Sequence, residues 1–169
     1  MLDDLLAKLP EDHRGIIIDR TTRAGVPDRH HHNIGEVGDT IDALMVSDRV
    51  KQDMHAIYRI LAQAEATAHG CAVEDTHFHE VGNGEAIRNV LGICLAIEAI
   101  NPDEITATPV QTGSGTVQCA HGVLDIPAPA TAAIIARGIP VCEETLDGEL
   151  CTPTSAAVIL HFVDRFEQR

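Results

Sequence analysis

The sequence predicts a single compact domain of mixed helices and short strands, α/β or α+β, spanning residues 1–169. Hydrophobic residues make up 44% of the chain, enough at this length for one core that buries roughly 70% of the unfolded surface. Only 2% of the chain is aromatic, so Ile, Val, Leu and Ala must fill that core. Helical periodicity and short extended segments alternate through the second half, with no repeat, low-complexity tract or interdomain linker.

Residues 1–9 form a short acidic helix that Pro10 stops. Residues 15–19 (GIIID) read as a brief buried strand. Thr21 to Gly38 is rich in Gly, Pro and His and reads as a mobile loop, followed by weak helical character over 39–46. Val50, Met54, Ile57, Leu61 and Ala68 recur at helical spacing, with Ser47 as N-cap and Gly70 as the stop. Residues 77–81 (HFHEV) alternate and read as a strand, closed by the turn VGNG. Residues 85–100 form an almost wholly apolar helix that must be covered on most sides.

Residues 104–112 read as a strand entering the turn Gly113-Ser114-Gly115. Val117 to Ile126 is extended chain around a turn at His121-Gly122. Pro129 opens a helix that Gly138 ends, and 141–144 (VCEE) is an edge strand. Thr152 and Pro153 open the last helix as N-cap and first residue.

The formal net charge of −14 repels phosphate backbones, and with no Trp and one Tyr there is little to stack on bases. We therefore expect no nucleic-acid partner. The apolar run within 90–100 is too short to span a bilayer and is interrupted by Glu98, so no membrane partner is expected. The five cysteines form no C-x-x-C pair, and the acidic N-terminus lacks the pattern of a signal peptide. Free thiols in a reducing cytoplasm are the expectation.

Ten histidines are many for this length, and two clusters carry metal-ligand character. His30, His31 and His32 supply three imidazoles from a loop, suited to a late transition metal such as Ni, Cu or Zn. A solvated loop that binds metal adventitiously gives the same pattern. On a strand, His77 and His79 would project to one face about 6.6 Å apart, with Phe78 turned to the core. That geometry chelates one ion, although an exposed pair on a strand face has the same spacing. Rigidity favours His77 and His79 over the loop run. Glu80 could add a ligand, orient an imidazole or act as a base.

Glu65 and His69 share a helix face at i,i+4, where a His in the last turn complements the helix dipole. His121 sits at a turn, either as a turn residue or reaching a site. Gly113, Ser114 and Gly115, and the helix start at Thr152 and Thr154, offer N–H groups and hydroxyls to an anion. The Walker lysine, dinucleotide-binding and nucleophile-elbow motifs are all missing from the sequence. Ser114 and Ser155 thus read as turn or cap residues.

Together the strings LAQAEATAHG, HFHEVG, CAHGVLDIPAPATA and GELCTPTSAA resemble the LarC family of nickel-insertion proteins, in the family's order and with similar separations. The likeness runs from about His30 to the end, and residues 1–29 share less of it. The resemblance implies insertion of nickel into a pyridinium mononucleotide that bears two thiocarboxylates, the precursor of the nickel-pincer cofactor. It implies two Ni–S bonds, one Ni–C bond, and the use of CTP with Mn or Mg. Such a reaction needs a base for the ring C–H proton, and Glu80, Glu85 or a metal-free histidine such as His121 fits. The precursor's phosphate needs donors, for which Gly113, Ser114, Gly115, Thr152 and Thr154 are the candidates.

The chain departs from the family in three places. It lacks the Gly-rich opening segment, and it carries Glu85 where an Asp is common. It also ends before the region associated with CTP, so CTP hydrolysis by this chain alone is not expected, and a separate CTP-binding subunit would supply it. A homo-oligomer is compatible with the sequence. The alternative from another class is a non-catalytic nickel carrier or storage module.

Overall fold

In the computed structural model, which describes residues 2–79, 81–119 and 122–167, helices dominate and strands are short. Two helices form the centre. Helix α4 (Asp48–His69) is capped by Ser47, whose hydroxyl accepts from the Val50 N–H, and it ends at Gly70 in the left-handed conformation. Helix α5 (Gly84–Ile100) is capped by Asn83, whose side chain accepts from the Ala86 N–H at 2.7 Å. Met54, Ile57, Leu61, Ile87, Val90, Leu91 and Leu95 are fully buried where these helices meet their neighbours.

The remaining helices are laid around this pair. Helices α1 (Leu2–Lys8) and α2 (Glu11–Arg23) pack on α5, and α3 (Ile34–Ala43) packs on α4. Helices α6 (Pro129–Ile135) and α7 (Pro153–Phe162) cover the other side of α4 and touch each other. A short 3₁₀ turn at Val73–Asp75 follows α4. Strands β1 (Thr106–Ala107) and β6 (Arg165–Phe166) pair in parallel. Strands β2 (Gly113–Ser114) and β5 (Gly148–Glu149) pair antiparallel, as do β3 (Thr116–Cys119) and β4 (Gly122–Asp125). Helices and short strands in one core meet the mixed-domain expectation. Among the described residues no helix is long and apolar enough to cross a membrane.

Several expected elements are realised with their caps: α1 before Pro10, α4 between Ser47 and Gly70, α5, the β3–β4 hairpin, and the starts of α6 and α7. Others differ. Residues 15–19 are helical, not a strand. Ile17 is 1% exposed while Ile16 and Ile18 are 54% and 50% exposed, so only one of the three is buried. Acidic residues in the first turn of α2 and Arg20 and Arg23 in its last turn suit a helix dipole, and that outweighs the β-branched run. The expected loop from Thr21 to Gly38 is shorter, because α2 runs to Arg23 and α3 begins at Ile34. The strand expected over 77–81 is not seen at the described residues 77–79, where Phe78 meets backbone from the His30–His32 segment rather than a sheet, and Glu80 lies outside the described residues. The strand expected over 104–112 shrinks to β1, and the one expected over 141–144 makes a single bridge, Val110 to Val141.

Gly113 and Ser114 are paired strand, not an open turn. A Cβ on Gly113 would lie 1.8 Å from the Gly148 carbonyl oxygen, so this close strand approach requires glycine.

Two predictions follow from this core. Val90 has no exposure, so Val90→Asp would bury an unpaired charge and lower unfolding stability by about 4 kcal/mol in a denaturant titration. An unchanged melt would remove α5 from the centre of the fold.

The second concerns Glu98, which joins α2 to α5. It accepts from the Ser47 hydroxyl, and Arg20 reaches it at 2.8 Å. The Ser47 bond first, and the Arg20 guanidinium with it, hold the Glu98 carboxyl below its ordinary range. A lowered carboxyl stabilises the fold above the unfolded value of about 4.3 and loses that contribution as pH falls through its folded value. Glu98→Gln should therefore cost about 1 kcal/mol at neutral pH, discounted for the solvent at Arg20, and converge with the parent in acid. A gap independent of pH would refute the assignment.

Candidate functional site

The last turns of α4 bring Glu65 and His69 onto one face, with the Glu65 Oε2 3.6 Å from the His69 Nε2. His79 approaches from the segment after the 3₁₀ turn, and its ring centroid lies 6.3 Å from that of His69. Burial of Phe78 sets this approach. Phe78 is 1% exposed and points into the core beside Tyr58, so His77 and His79 on either side turn outward. The sequence alternation is right, but its consequence differs. His79 lines a cavity and His77 does not.

The segment is held by backbone contacts. The Phe78 N–H donates to the His32 carbonyl at 2.8 Å, and the His30 Nε2 donates to the Phe78 carbonyl at 2.8 Å. The Tyr58 hydroxyl donates to the Val81 carbonyl at 3.1 Å, and burial pushes the Tyr58 phenol well up from its ordinary value. The His31 N–H donates to the Gly82 carbonyl at 2.8 Å.

The cavity has a volume of about 440 Å³ and opens where many element ends converge. Glu65 and His69 come from α4, His79 and Val81 from the held segment, and Ala86 from α5. Val117, Cys119 and Leu124 of the β3–β4 hairpin form an apolar wall with one thiol. The starts of α6 and α7 and Glu149 of β5 complete it. Thr152 caps α7 by accepting from the Ser155 N–H, so that helix presents its N-terminal turn to the cavity.

The sequence candidates separate in space. His79, Thr152 and Thr154 line the cavity together. Gly113, Ser114 and Gly115 do not, and the Ser114 hydroxyl is committed to the Leu146 carbonyl at 3.0 Å. Glu85 lies on the first turn of α5 in a second, shallow hollow with Arg29, His30 and Arg88. Glu80 and His121 lie outside the described residues. Within the segment expected to be mobile, His31 is fully buried with both ring nitrogens in hydrogen bonds, and the His32 N–H donates to Glu36 at 2.9 Å. That backbone bond holds the Glu36 carboxyl below its ordinary range. His30 and His32 are exposed, with ring centroids 4.9 Å apart.

Glu65 and His69 had a sufficient helix-end explanation, so their part in the cavity was not anticipated. Neither was that of Cys119 or Glu149. The available signal was the i,i+4 pair ending a helix a few residues before the H-x-H string. Among the other thiols, burial pushes Cys94 strongly up, and burial with Glu149 beside it pushes Cys151 to about 11. Cys119 is half-buried and is the thiol at the cavity wall. Among the described residues no three His, Cys, Asp or Glu side chains are gathered closely enough to chelate one ion.

The profile of the family described as "Nickel insertion protein" matches residues 10–169. The pyridinium-3,5-bisthiocarboxylic acid mononucleotide nickel insertion protein of Staphylococcus saprophyticus is 44% identical over 130 residues, which is 77% of this chain and 33% of the relative. Its counterpart in Staphylococcus epidermidis is 34% identical over 175 aligned positions, 98% of this chain and 44% of the relative. The Geobacillus kaustophilus protein of the same name is 36% identical over 154 positions, 89% of this chain and 37% of the relative. The chain thus spans less than half the length of these curated relatives. No solved structure matches it. The sequence strings and the profile agree, and the chain belongs to the nickel insertion protein family.

Proposed function

We propose that this chain handles nickel during its insertion into a pyridinium bisthiocarboxylate mononucleotide, and that the cavity between α4, α6 and α7 is where it does so. The observation that carries this reading is the approach of His69 to His79, at 6.3 Å between ring centroids, beside Glu65. One late transition metal ion can bridge two imidazoles at such a separation, and the carboxylate of Glu65 can orient or supplement them. Nickel is the cargo. Its affinity for nitrogen and sulfur donors alike allows passage from imidazole to thiocarboxylate.

The first turn of α7, with Thr152 and Thr154, offers hydroxyls and a positive dipole end to an anionic group of the precursor. The apolar wall of Val117 and Leu124 offers a flat ring a place beside the metal. The base for the ring proton belongs, in this reading, to Glu80 or His121, which flank described segments that reach the cavity. Glu85 opens onto the other hollow, so this reading gives it no part in that step.

Among its described lining residues the cavity has no Lys or Arg, which a triphosphate would require. We therefore assign CTP, with its Mn or Mg, to a separate partner or region. A homo-oligomer is compatible with this arrangement.

The test is a calorimetric nickel(II) titration of the full chain, followed by transfer to the bisthiocarboxylate precursor with and without CTP and Mn or Mg. His69→Ala/His79→Ala should weaken nickel binding by about tenfold or more and stop transfer. His32→Ala should leave binding within about twofold, because that ring does not line the cavity and only the His32 backbone holds Phe78. Coordination needs neutral imidazole, so binding should also weaken in acid. The reverse pattern moves the site to the loop. Tight binding without transfer under any nucleotide condition replaces insertion with a carrier or storage role.

A further inference from the structure

His31 is a fully buried histidine, and the nickel-handling reading gives it nothing to do. Its partners define its chemical state. The Gly82 carbonyl can only accept, so the His31 Nδ1, 3.0 Å away, carries a proton. The His31 Nε2 then presents a lone pair. The Thr40 hydroxyl at 2.8 Å and the Arg29 Nε at 3.4 Å both donate to it. The ring is thereby fixed in one tautomer and one orientation.

What it fixes is Gly82, the neighbour of Val81 in the cavity lining. The Gly82 carbonyl receives two bonds from His31, one from the backbone N–H at 2.8 Å and one from the ring. Gly82 is seated so tightly that a Cβ there would lie 2.0 Å from the His31 carbonyl oxygen. At the other end of the segment, Phe78 is bonded at both its N–H and its carbonyl to His32 and His30. His79 thus lies between two held residues, Phe78 and Gly82, and the His31 ring ties the Gly82 end to Thr40 on α3.

We propose that His31 is the positioning residue for His79, holding Gly82 three residues on so that the His79 ring stays beside His69 at the cavity. This rests on the reading of His69 and His79 as the nickel donors. A ligand fixed before the metal arrives loses less chain entropy on binding, so a looser clamp lowers metal affinity without altering any donor atom. His31 itself touches no metal in this scheme, since both ring nitrogens are engaged inside the protein.

The experiment uses the full chain and nickel(II) chloride alone as probe. The variants are His31→Asn, His31→Leu/Thr40→Val and His69→Ala/His79→Ala. Replacing both members of the buried pair by apolar groups leaves no orphaned polar atom between them, so the double variant should fold with a thermal midpoint near the parent's. Its nickel affinity should nevertheless fall about tenfold or more, with a changed nickel d–d absorption band. His31→Asn can place an amide N–H near the Nδ1 position and should recover most of the affinity.

A folded His31→Leu/Thr40→Val protein that binds nickel within about twofold of the parent, while His69→Ala/His79→Ala does not, overturns the positioning role and leaves the site intact. If His69→Ala/His79→Ala binds like the parent, both the site and the role assigned to His31 fall. A fall in affinity that tracks loss of thermal stability across all His31 variants, with no recovery in His31→Asn, reduces His31 to a core residue and also overturns the proposal.

Discussion

The packing of α4 beside α5 is the constraint on which the other elements depend. Both helices are buried along most of their length, so each must be covered on several sides, and the coverings decide the architecture. With almost no aromatic side chains, the seam is built from Ile, Leu, Val, Met and Ala. Such side chains interdigitate closely, and a core near crystal density leaves little freedom in how the ends of the helices lie. The end of α4 that carries Glu65 and His69 is fixed in this way, by apolar contacts a turn or more away from it.

The cavity forms because element ends converge where the core stops. A helix C-terminus exposes carbonyls and an N-terminus exposes N–H groups, so the end of α4 and the starts of α6 and α7 bring opposite partial charges to one space. The short strands serve the same purpose. None of the three pairs builds an extended sheet, but β2–β5 carries Glu149 and β3–β4 carries Cys119 to the cavity edge. Several polar groups from different elements are thus brought to one rim of the core.

What was legible in the sequence divides along this line between local and long-range causes. Caps and stops are local, so Ser47 and Gly70 delimit α4 and Thr152 with Pro153 opens α7, as the sequence indicates. The pattern at residues 77–79 is also local, and Phe78 does point inward with both histidines outward. Pairing is not local. Nothing near Phe78 announces that its backbone will bond to His30 and His32, so an alternating string that resembles a strand becomes a clamped irregular span. Ile16 and Ile18 mislead for a related reason, because β-branching counts for little once α2 has a surface on α5 to bury Ile17. Glu65 and His69 are the hardest case. Their spacing explains itself as a helix-end pair, and only the arrival of His79 from another segment gives it a second meaning.

The donor set bears on how such a cavity can handle a metal. A resident structural metal is held by a closed shell of ligands, which makes it slow to leave. His69 and His79 with Glu65 nearby do not form a closed shell among the described residues, and the hairpin side of the cavity is apolar apart from Cys119. In the proposed reading, an ion on two imidazoles keeps positions free for incoming sulfur donors, and each new sulfur contact weakens the hold of the protein. The same openness makes affinity depend on preorganisation more than on ligand number. With few donors, the entropy lost in fixing each one is a larger part of the binding free energy. In the same reading, the bonds that hold Phe78 and Gly82 to the His30–His32 segment bear on function and not only on folding.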